Sequence, residues 1–272
     1  MTPPPSRAGL RFRTIWISDV HLGTRRCQAE RLLDFLKHTE SDYLYLVGDI
    51  VDGWRLRRRW YWPQSHNDVV QKIMRCARHG TAVFYIPGNH DEAVRPYCGL
   101  RFGGVYVTNK AVHETADGKR ILIFHGDQFD AMVGYAPWLA RWGDTAYDAA
   151  LYINRAVNVV RRLFGFPYWS LSAYLKHKVK NVIEHIGAFE TFIVERARHH
   201  NVDGVLCGHI HHGEMRSVGS ILYMNDGDWV ESCTALVEDA EGALSLVNWI
   251  KDRDRLLGTG LSDQAGEKRK NG

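Results

Sequence analysis

The sequence predicts an α/β sandwich, either one mixed sheet or two packed mixed sheets flanked by helices, with a helical hairpin inserted late in the chain. Three observations predict it. Short apolar runs alternate with helix-period segments in the first part of the chain, whereas the end is rich in strand-like runs. Five apolar runs end in a small residue or a tight loop followed by a side chain able to bind a metal. Residues 131–200 break this rhythm with sustained helical spacing.

Taken in order, residues 1–9 are Pro-rich and polar, and read as a disordered lead. Thr14–Ser18 is a β-type run whose exit loop is Asp19-Val20-His21-Leu22-Gly23. Glu30–Lys37 sets Leu32, Leu33 and Leu36 at helical spacing. Tyr43–Val47 is the second strand, followed by Gly48-Asp49-Ile50-Val51-Asp52. The basic, aromatic run from Trp54 to Pro63 reads as a loop. Asn67 is placed to cap a helix that buries Val70, Ile73, Met74 and Ala77 and is closed by Gly80. Later strands are Val83–Ile86, Arg120–Phe124, Val202–Cys207, Ile221–Met224 and Ala243–Val247. In the insert, Ala146, Ala150, Ile153, Val157, Val160 and Phe164 mark one helix, and Val179, Val182, Ile186, Phe189, Ile193 and Ala197 a second, separated at Gly165-Phe166-Pro167. The expected organisation is one domain over 10–250 with 131–200 as an inserted helical cap, and tails at 1–9 and 251–272.

At 272 residues the chain is long enough for a substantial core. A net charge of +4 excludes a general polyanion binder, so local basic clusters matter more than the total. Five cysteines without C-x-x-C spacing fit reduced thiols in a cytosolic protein. The N-terminus lacks the apolar stretch of a signal peptide, and no run approaches the ~18 apolar residues that span a bilayer.

Loops at the carboxyl ends of strands converge on the ligand in open α/β sheets. Here they carry Asp19, His21, Asp49, Asn89, His90, His125, His209 and His211. In D-x-H and H-x-H an extended backbone would aim two side chains from one face. Mixed imidazole and carboxylate ligands favour Mn, Fe, Zn or Co over Mg or Ca. Seven of these, all but His90, are too many for one tetrahedral ion and suit two ions bridged by Asp49. Asp52 and Asp127 read as supporting partners or caps, while His66, His79, His113, His177, His185, His199, His200 and His212 stand outside any motif.

Asp19-x-His21, Gly48-Asp49-x-x-Asp52, Gly88-Asn89-His90-Asp91, His125-Gly126 and Gly208-His209-x-His211 together resemble, in order, the motifs of the calcineurin-like metallophosphoesterases. The resemblance implies that Asp19, His21, Asp49 and His211 hold one metal, and Asp49, Asn89, His125 and His209 the other. It implies two divalent transition ions, Mn first, with a hydroxide between them as nucleophile. His90 would serve as the acid at the leaving oxygen, with Asp91 orienting it.

A narrower resemblance is to the UDP-2,3-diacylglucosamine hydrolases. It is carried by Ile17–Gly23, by Gly53-Trp54-Arg55-Leu56-Arg57-Arg58-Arg59 and by Asn225–Ser232. It implies cleavage of a nucleotide-diphosphate lipid to 2,3-diacylglucosamine 1-phosphate and UMP, with the insert covering acyl chains. His90 departs from the arginine of the well-known members and keeps the general phosphoesterase pattern. The insert pairs Pro137–Trp142 and Phe164–Trp169 with Arg155, Arg161, Arg162, Lys176, Lys178 and Lys180, which suits an anionic amphiphile or a leaflet surface. Arg55, Arg57, Arg58, Arg59, Arg155, Arg162, Lys176 and Lys180 are therefore the candidate substrate contacts. The expected setting is cytoplasmic, peripheral on the inner membrane leaflet, without nucleic acid. The sequence leaves open another phosphodiester as substrate and a non-catalytic scaffold.

Overall fold

Alternation along single strands shows where the cores lie. In β1 (Leu10–Ile17), Ile15 and Ile17 enter one hydrophobic cluster and Trp16 enters another. In β2 (Thr39–Val47), Leu44 and Leu46 go one way, Tyr45 and Val47 the other. Period-2 side-chain direction thus builds a core on each face of one sheet. The computed structural model describes residues 9–129 and 189–258.

That sheet has seven strands in the order β12-β11-β1-β2-β3-β5-β4. β1, β2, β3 (Ala82–Ile86) and β5 (Val105–Val107) run parallel, and β4 (Arg101–Phe102), β11 (Thr234–Glu238) and β12 (Leu244–Asn248) extend it antiparallel. A second sheet has the order β6-β7-β8-β10-β9. Here β7 (Arg120–Ile123), β8 (Gly204–Cys207) and β10 (Ile221–Asn225) are parallel, while β6 (Ala111–Glu114) and β9 (Glu214–Val218) flank them antiparallel. Trp16, Tyr45, Val47 and Ile86 of the first sheet cluster with Ile121, Ile123, Leu206 and Met224 of the second. On the outer face, α1 (Ala29–His38) and α3 (Gln64–Arg78) supply Leu32, Phe35, Leu36, Val69 and Ile73 to the other cluster. The chain is a mixed α/β sandwich of two mixed sheets flanked by helices.

Several elements differ from expectation. The stretch after Asp52 is a short helix, α2 (Gly53–Arg58), because the Asp52 carboxylate caps it by accepting from the Arg55 amide at 2.8 Å. α3 starts behind Pro63 rather than at Asn67; its fully buried residues are His66, Val69 and Ile73, and the expected Val70, Met74 and Ala77 pack partly buried against the same core. Lys251 does not open a tail. Asn248 caps α4 (Trp249–Leu256), and Trp249 packs against Phe35. The fully buried strand β11 was missed. Among the described residues, 127–129 with 189–201 belong to one compact unit and 9–126 with 202–258 to another. Within the first, 189–200 is helical, and Phe129 meets the rings of Phe189 and Phe192. The remainder of the expected hairpin, and both expected tails except residue 9 and 251–258, lie outside the described residues.

His113 is buried, not at the surface. Its Nε2 lies 2.9 Å from Glu238 Oε2 and 3.1 Å from Thr14 Oγ, and its Nδ1 lies 3.2 Å from the Tyr45 hydroxyl. Arg13 reaches the same carboxylate at 2.8 Å. These five residues tie β6 of one sheet to β1, β2 and β11 of the other. Burial alone would raise the Glu238 carboxyl, but hydrogen bonds from His113, Thr14 and the Ala116 amide overcome it and pull the pKa from 4.5 to about 2. The contribution is full above pH 4.5 and is lost as pH falls toward 2. Glu238→Gln is therefore expected to lower the unfolding free energy near neutral pH by about 3 kcal/mol. It should also flatten the loss of stability between neutral pH and about pH 3, read by urea unfolding.

Candidate metal centre

The site is assembled from the carboxyl ends of parallel strands in both sheets. β1 delivers Asp19 and His21, β2 Asp49, β3 Asn89 and His90, β7 His125, and β8 His209 and His211. Loop-to-loop hydrogen bonds fix their relation. The Asp19 amide donates to Gly48 O at 3.0 Å, the His21 amide to Asp49 O at 2.9 Å, and the Gly208 amide to His125 O at 3.0 Å.

The backbone at these positions is not extended. Asp19, His21, Asp49, His209 and His211 all have φ between 50° and 69°. Such conformations are uncommon for residues with a Cβ, and least so for Asp, Asn and His. The D-x-H and H-x-H pairs thus reach one point by left-handed kinks, not by a shared strand face. Close approach explains two glycines. A Cβ on Gly88 would strike Asp49 Oδ1 and His125 Nε2, and one on Gly208 would stand 2.6 Å from Asp19 Oδ2.

Three overlapping groups have their ligand atoms within 4.8 Å of one another: Asp19, His21 and His211; Asp49, His125 and His209; and His21, Asp49 and His90. Asp49 lies between them. Its Oδ2 is 3.4 Å from His125 Nε2, 3.9 Å from His21 Nε2 and 4.0 Å from His90 Nε2. Asp19 Oδ1 is 3.0 Å from His211 Nε2 and 3.9 Å from His21 Nε2. His21 Nε2 and Asn89 Oδ1 are buried without a hydrogen-bond partner. Buried polar atoms are rarely left so. Together with the mixed N/O donor set, this fits a pair of divalent transition ions.

A second layer aims the imidazoles. His125 Nδ1 lies 2.8 Å from Val47 O, an acceptor only, so Nδ1 carries the proton and Nε2 keeps its lone pair. His21 Nδ1 lies 3.3 Å from Asp52 Oδ2, and His90 Nδ1 lies 3.2 Å from Asp52 Oδ1. Asp52 is thus both cap and orienting carboxylate. Asp91 does not face the His90 ring. Its carboxylate accepts from the amides of Gly88 (2.5 Å) and Ile50 (2.8 Å) and from the Tyr85 hydroxyl, so it organises the loop backbone instead. Trp54, which sequence reasoning passed over, lies with its ring centroid 4.3 Å from that of His90 and its indole N–H on Glu92. Ser18 links Asp19 to Asp226, and Asn225 Nδ2 donates to Gly208 O at 2.7 Å. The Asn225-Asp226-Gly227-Asp228 run was visible in the sequence, but its supporting role was not.

Electrostatics follow from this packing. Burial would raise the Asp19 carboxyl, yet His211, then His125 and His21, hold it well below the usual range. Burial likewise opposes, and His125 outweighs it, at Asp49. Asp52 is lowered against burial by hydrogen bonds with His21 and His90. Burial would lower His90, and Asp52 and Asp49 raise it instead. Burial and the neighbouring Asp49 charge push Asp91 up. Asp226 goes further up, because burial and Asp19 outweigh its bond from Ser18.

Of the candidate substrate contacts, Arg55, Arg57, Arg58 and Arg59 lie on or directly after α2 and are exposed. Arg155, Arg162, Lys176 and Lys180 lie outside the described residues.

Residues 12–213 match the profile of the calcineurin-like phosphoesterase family. The chain belongs to the calcineurin-like phosphoesterases. It is a metal-dependent hydrolase of the dimetal type. Among relatives of this phosphoesterase, a UDP-2,3-diacylglucosamine hydrolase of Xanthomonas campestris pv. campestris is 27% identical over 245 residues, covering 84% of this chain and 96% of the relative. One from Blochmanniella pennsylvanica is 22% identical, covering 72% and 78%. Among solved structures, an E. coli phosphoesterase aligns at 14% identity over 86% of this chain and 98% of that one, with a TM-score of 0.40. For this phosphoesterase, Asp49→Ala is expected to cut bound metal from about two ions per chain to one or fewer. Elemental analysis of the purified protein reads this, with circular dichroism reporting that the fold is kept.

Proposed function

We propose that the enzyme hydrolyses the pyrophosphate bond of a nucleotide-diphosphate lipid, UDP-2,3-diacylglucosamine, to 2,3-diacylglucosamine 1-phosphate and UMP. The observation that carries the phosphoesterase chemistry is the meeting of His21, His125 and His209 at Asp49, with Asp19 and His211 grouped on His21. The substrate rests on the relatives, whose names specify this hydrolysis and whose alignment spans most of both chains.

In this reading Asp19, His21, Asp49 and His211 hold one ion and Asp49, Asn89, His125 and His209 the other, Mn at both. When bound, such a pair supplies an activated water and stabilises the charge of an in-line phosphoryl displacement. His90 holds a proton for the leaving oxygen. Asp52 at its Nδ1 favours the protonated ring, and its Nε2 points towards Asp49. Trp54 restricts the ring from the side. Residues 131–200 act as the cap, and their apolar and basic residues suit an acylated, anionic substrate. The enzyme works at the cytoplasmic face of the inner membrane as a peripheral protein. Among the described residues no helix is long and apolar enough to cross a bilayer.

His90 favours a second reading, a different phosphodiester on the same centre, because histidine there is the general phosphoesterase pattern. Mass spectrometry of products from the Mn-loaded enzyme separates the two. Release of UMP from UDP-2,3-diacylglucosamine, abolished by chelator, is the expected result. Cleavage of simple phosphodiesters with no UMP released would reject the lipid substrate. His90→Ala should lower kcat by about 10²–10⁴-fold while leaving metal content unchanged.

A further inference from the structure

Beyond the metal centre, α2 and the loop that follows it carry an unusual surface. No residue of α2 is fully buried, Leu56 is half-buried, and in the loop Trp62 packs against the core. Trp54 is 43% exposed and Trp60 is 74% exposed, and Arg55, Arg57, Arg58 and Arg59 are all exposed. Large exposed tryptophans beside a run of like charge are not what a surface loop needs for solubility. Some arginines elsewhere find carboxylates: Arg11 meets Asp42 at 2.7 Å, Arg253 meets Asp34 at 2.7 Å, and Arg255 meets Asp252 at 3.0 Å. None of the four on this strip forms an ion pair among the described residues. With 35 basic against 31 acidic side chains in the whole chain, that concentration is local and not a consequence of composition.

The aromatic part continues past the helix. Trp60 and Trp62 have ring centroids 6.2 Å apart, and the Arg25 guanidinium lies 4.8 Å over the Tyr61 ring. The strip is also firmly mounted beside the ligand cluster. Asp52 caps α2 while contacting His21 and His90, the Gly53 amide donates to His90 O at 3.0 Å, and Trp54 lies against the His90 ring.

We infer that the strip Trp54–Trp60 is a docking surface for the anionic headgroup layer of a phospholipid bilayer, and that docking there holds the metal-ligand cluster at the leaflet. Tryptophan rings favour the boundary between headgroups and chains, and arginine forks phosphate oxygens. Each arginine near an anionic leaflet multiplies apparent association about fivefold, and salt weakens the effect. A nucleic acid would use the same arginines, but it would take its affinity from phosphate charge and not need an indole as exposed as Trp60. This inference rests on the membrane-surface part of the proposed function, not on which phosphodiester is cleaved.

The test is flotation of the full chain with vesicles of phosphatidylcholine alone and of phosphatidylcholine with phosphatidylglycerol. The protein should float with the anionic vesicles, weakly with the neutral ones, and less at high salt. The double substitution Arg58→Glu with Arg59→Glu should weaken anionic-vesicle binding by at least about tenfold. Trp60→Ser should weaken it by several-fold and leave the slope against salt unchanged. Unfolding midpoints equal to wild type would show that both variants are folded. If the wild type floats and both variants float equally well, docking lies elsewhere and the inference fails while the membrane reading stands. If the wild type floats with neither vesicle, both fail. If a single-stranded oligonucleotide displaces the anionic vesicles and binds in a manner that needs Arg58 and Arg59, the occupant is nucleic acid and the inference is overturned.

Discussion

The structure depends on keeping two carboxylates charged in a place where water cannot reach them. Asp19 and Asp49 are almost fully buried, and among the described residues neither pairs with a lysine or arginine; their charged-group neighbours are imidazoles. An imidazole cancels that charge only when it is protonated, and a protonated ring nitrogen cannot ligate a metal; with neutral rings the buried carboxylates would stand uncompensated, which is costly. Divalent cations remove that conflict, because their charge is what the cluster lacks and their coordination uses the atoms left without hydrogen bonds, Asn89 Oδ1 and His21 Nε2. The site is a cation receptor before it is a catalyst.

The same requirement shapes the backbone. Five ligand positions sit in the left-handed region, each costing roughly 1 kcal/mol or more for a residue with a Cβ. Strain of this kind persists only when the surroundings over-determine it. Here they do: the strands on either side are fully paired, their residues lie in two closed clusters, and the loops bond to one another through Gly48 O, Asp49 O and His125 O. The rigid sheets thus hold the loops in conformations that short peptides would not adopt. Left-handed kinks also let side chains two residues apart converge more closely than the alternating faces of a strand allow.

This separates what could be read in the sequence from what could not. The candidate cluster of Asp19, His21, Asp49, His125, His209 and His211 could be nominated from the sequence because each member follows a strand and the order of motifs is specific, and the structure brings these side chains together. Helix α1 and the main parallel strands were legible because their periodicity was undisturbed. The backbone that unites the ligands was not, since D-x-H spells the same in extended and kinked form. The orienting carboxylate was misassigned to Asp91 by adjacency. In three dimensions the 3₁₀ turn at Glu92–Tyr97 leads away, Asp91 binds amides of its own and the Asp49 loop, and Asp52 arrives from another strand. α2 read as a loop because its six residues are basic and aromatic and bury no apolar stripe, although Asp52 was already a candidate cap. β11 was missed since Thr-Ala-Leu-Val-Glu is short and ends on Glu238, a charged residue that proves to be wholly buried. His113 and His66 looked unremarkable because what makes a histidine structural is its partner, and the partners are far away in sequence.

Asp52 joins these strands of argument. One oxygen faces His90 and also caps α2, while the other faces His21. A single carboxylate therefore fixes a metal-ligand candidate, the candidate acid and the helix that carries Trp54 and the arginines. Its negative charge has a different effect on each. It raises the electron density of the imidazole it faces at His21, favouring ligation, and it favours the protonated ring at His90. Because the cap bond uses the same atom as the His90 contact, a displacement of α2 would be felt at the His90 ring. Any displacement of the Trp54–Trp60 strip is thus transmitted through Asp52 to the His90 ring, whose position is set by the same residue that orders the surface beside it.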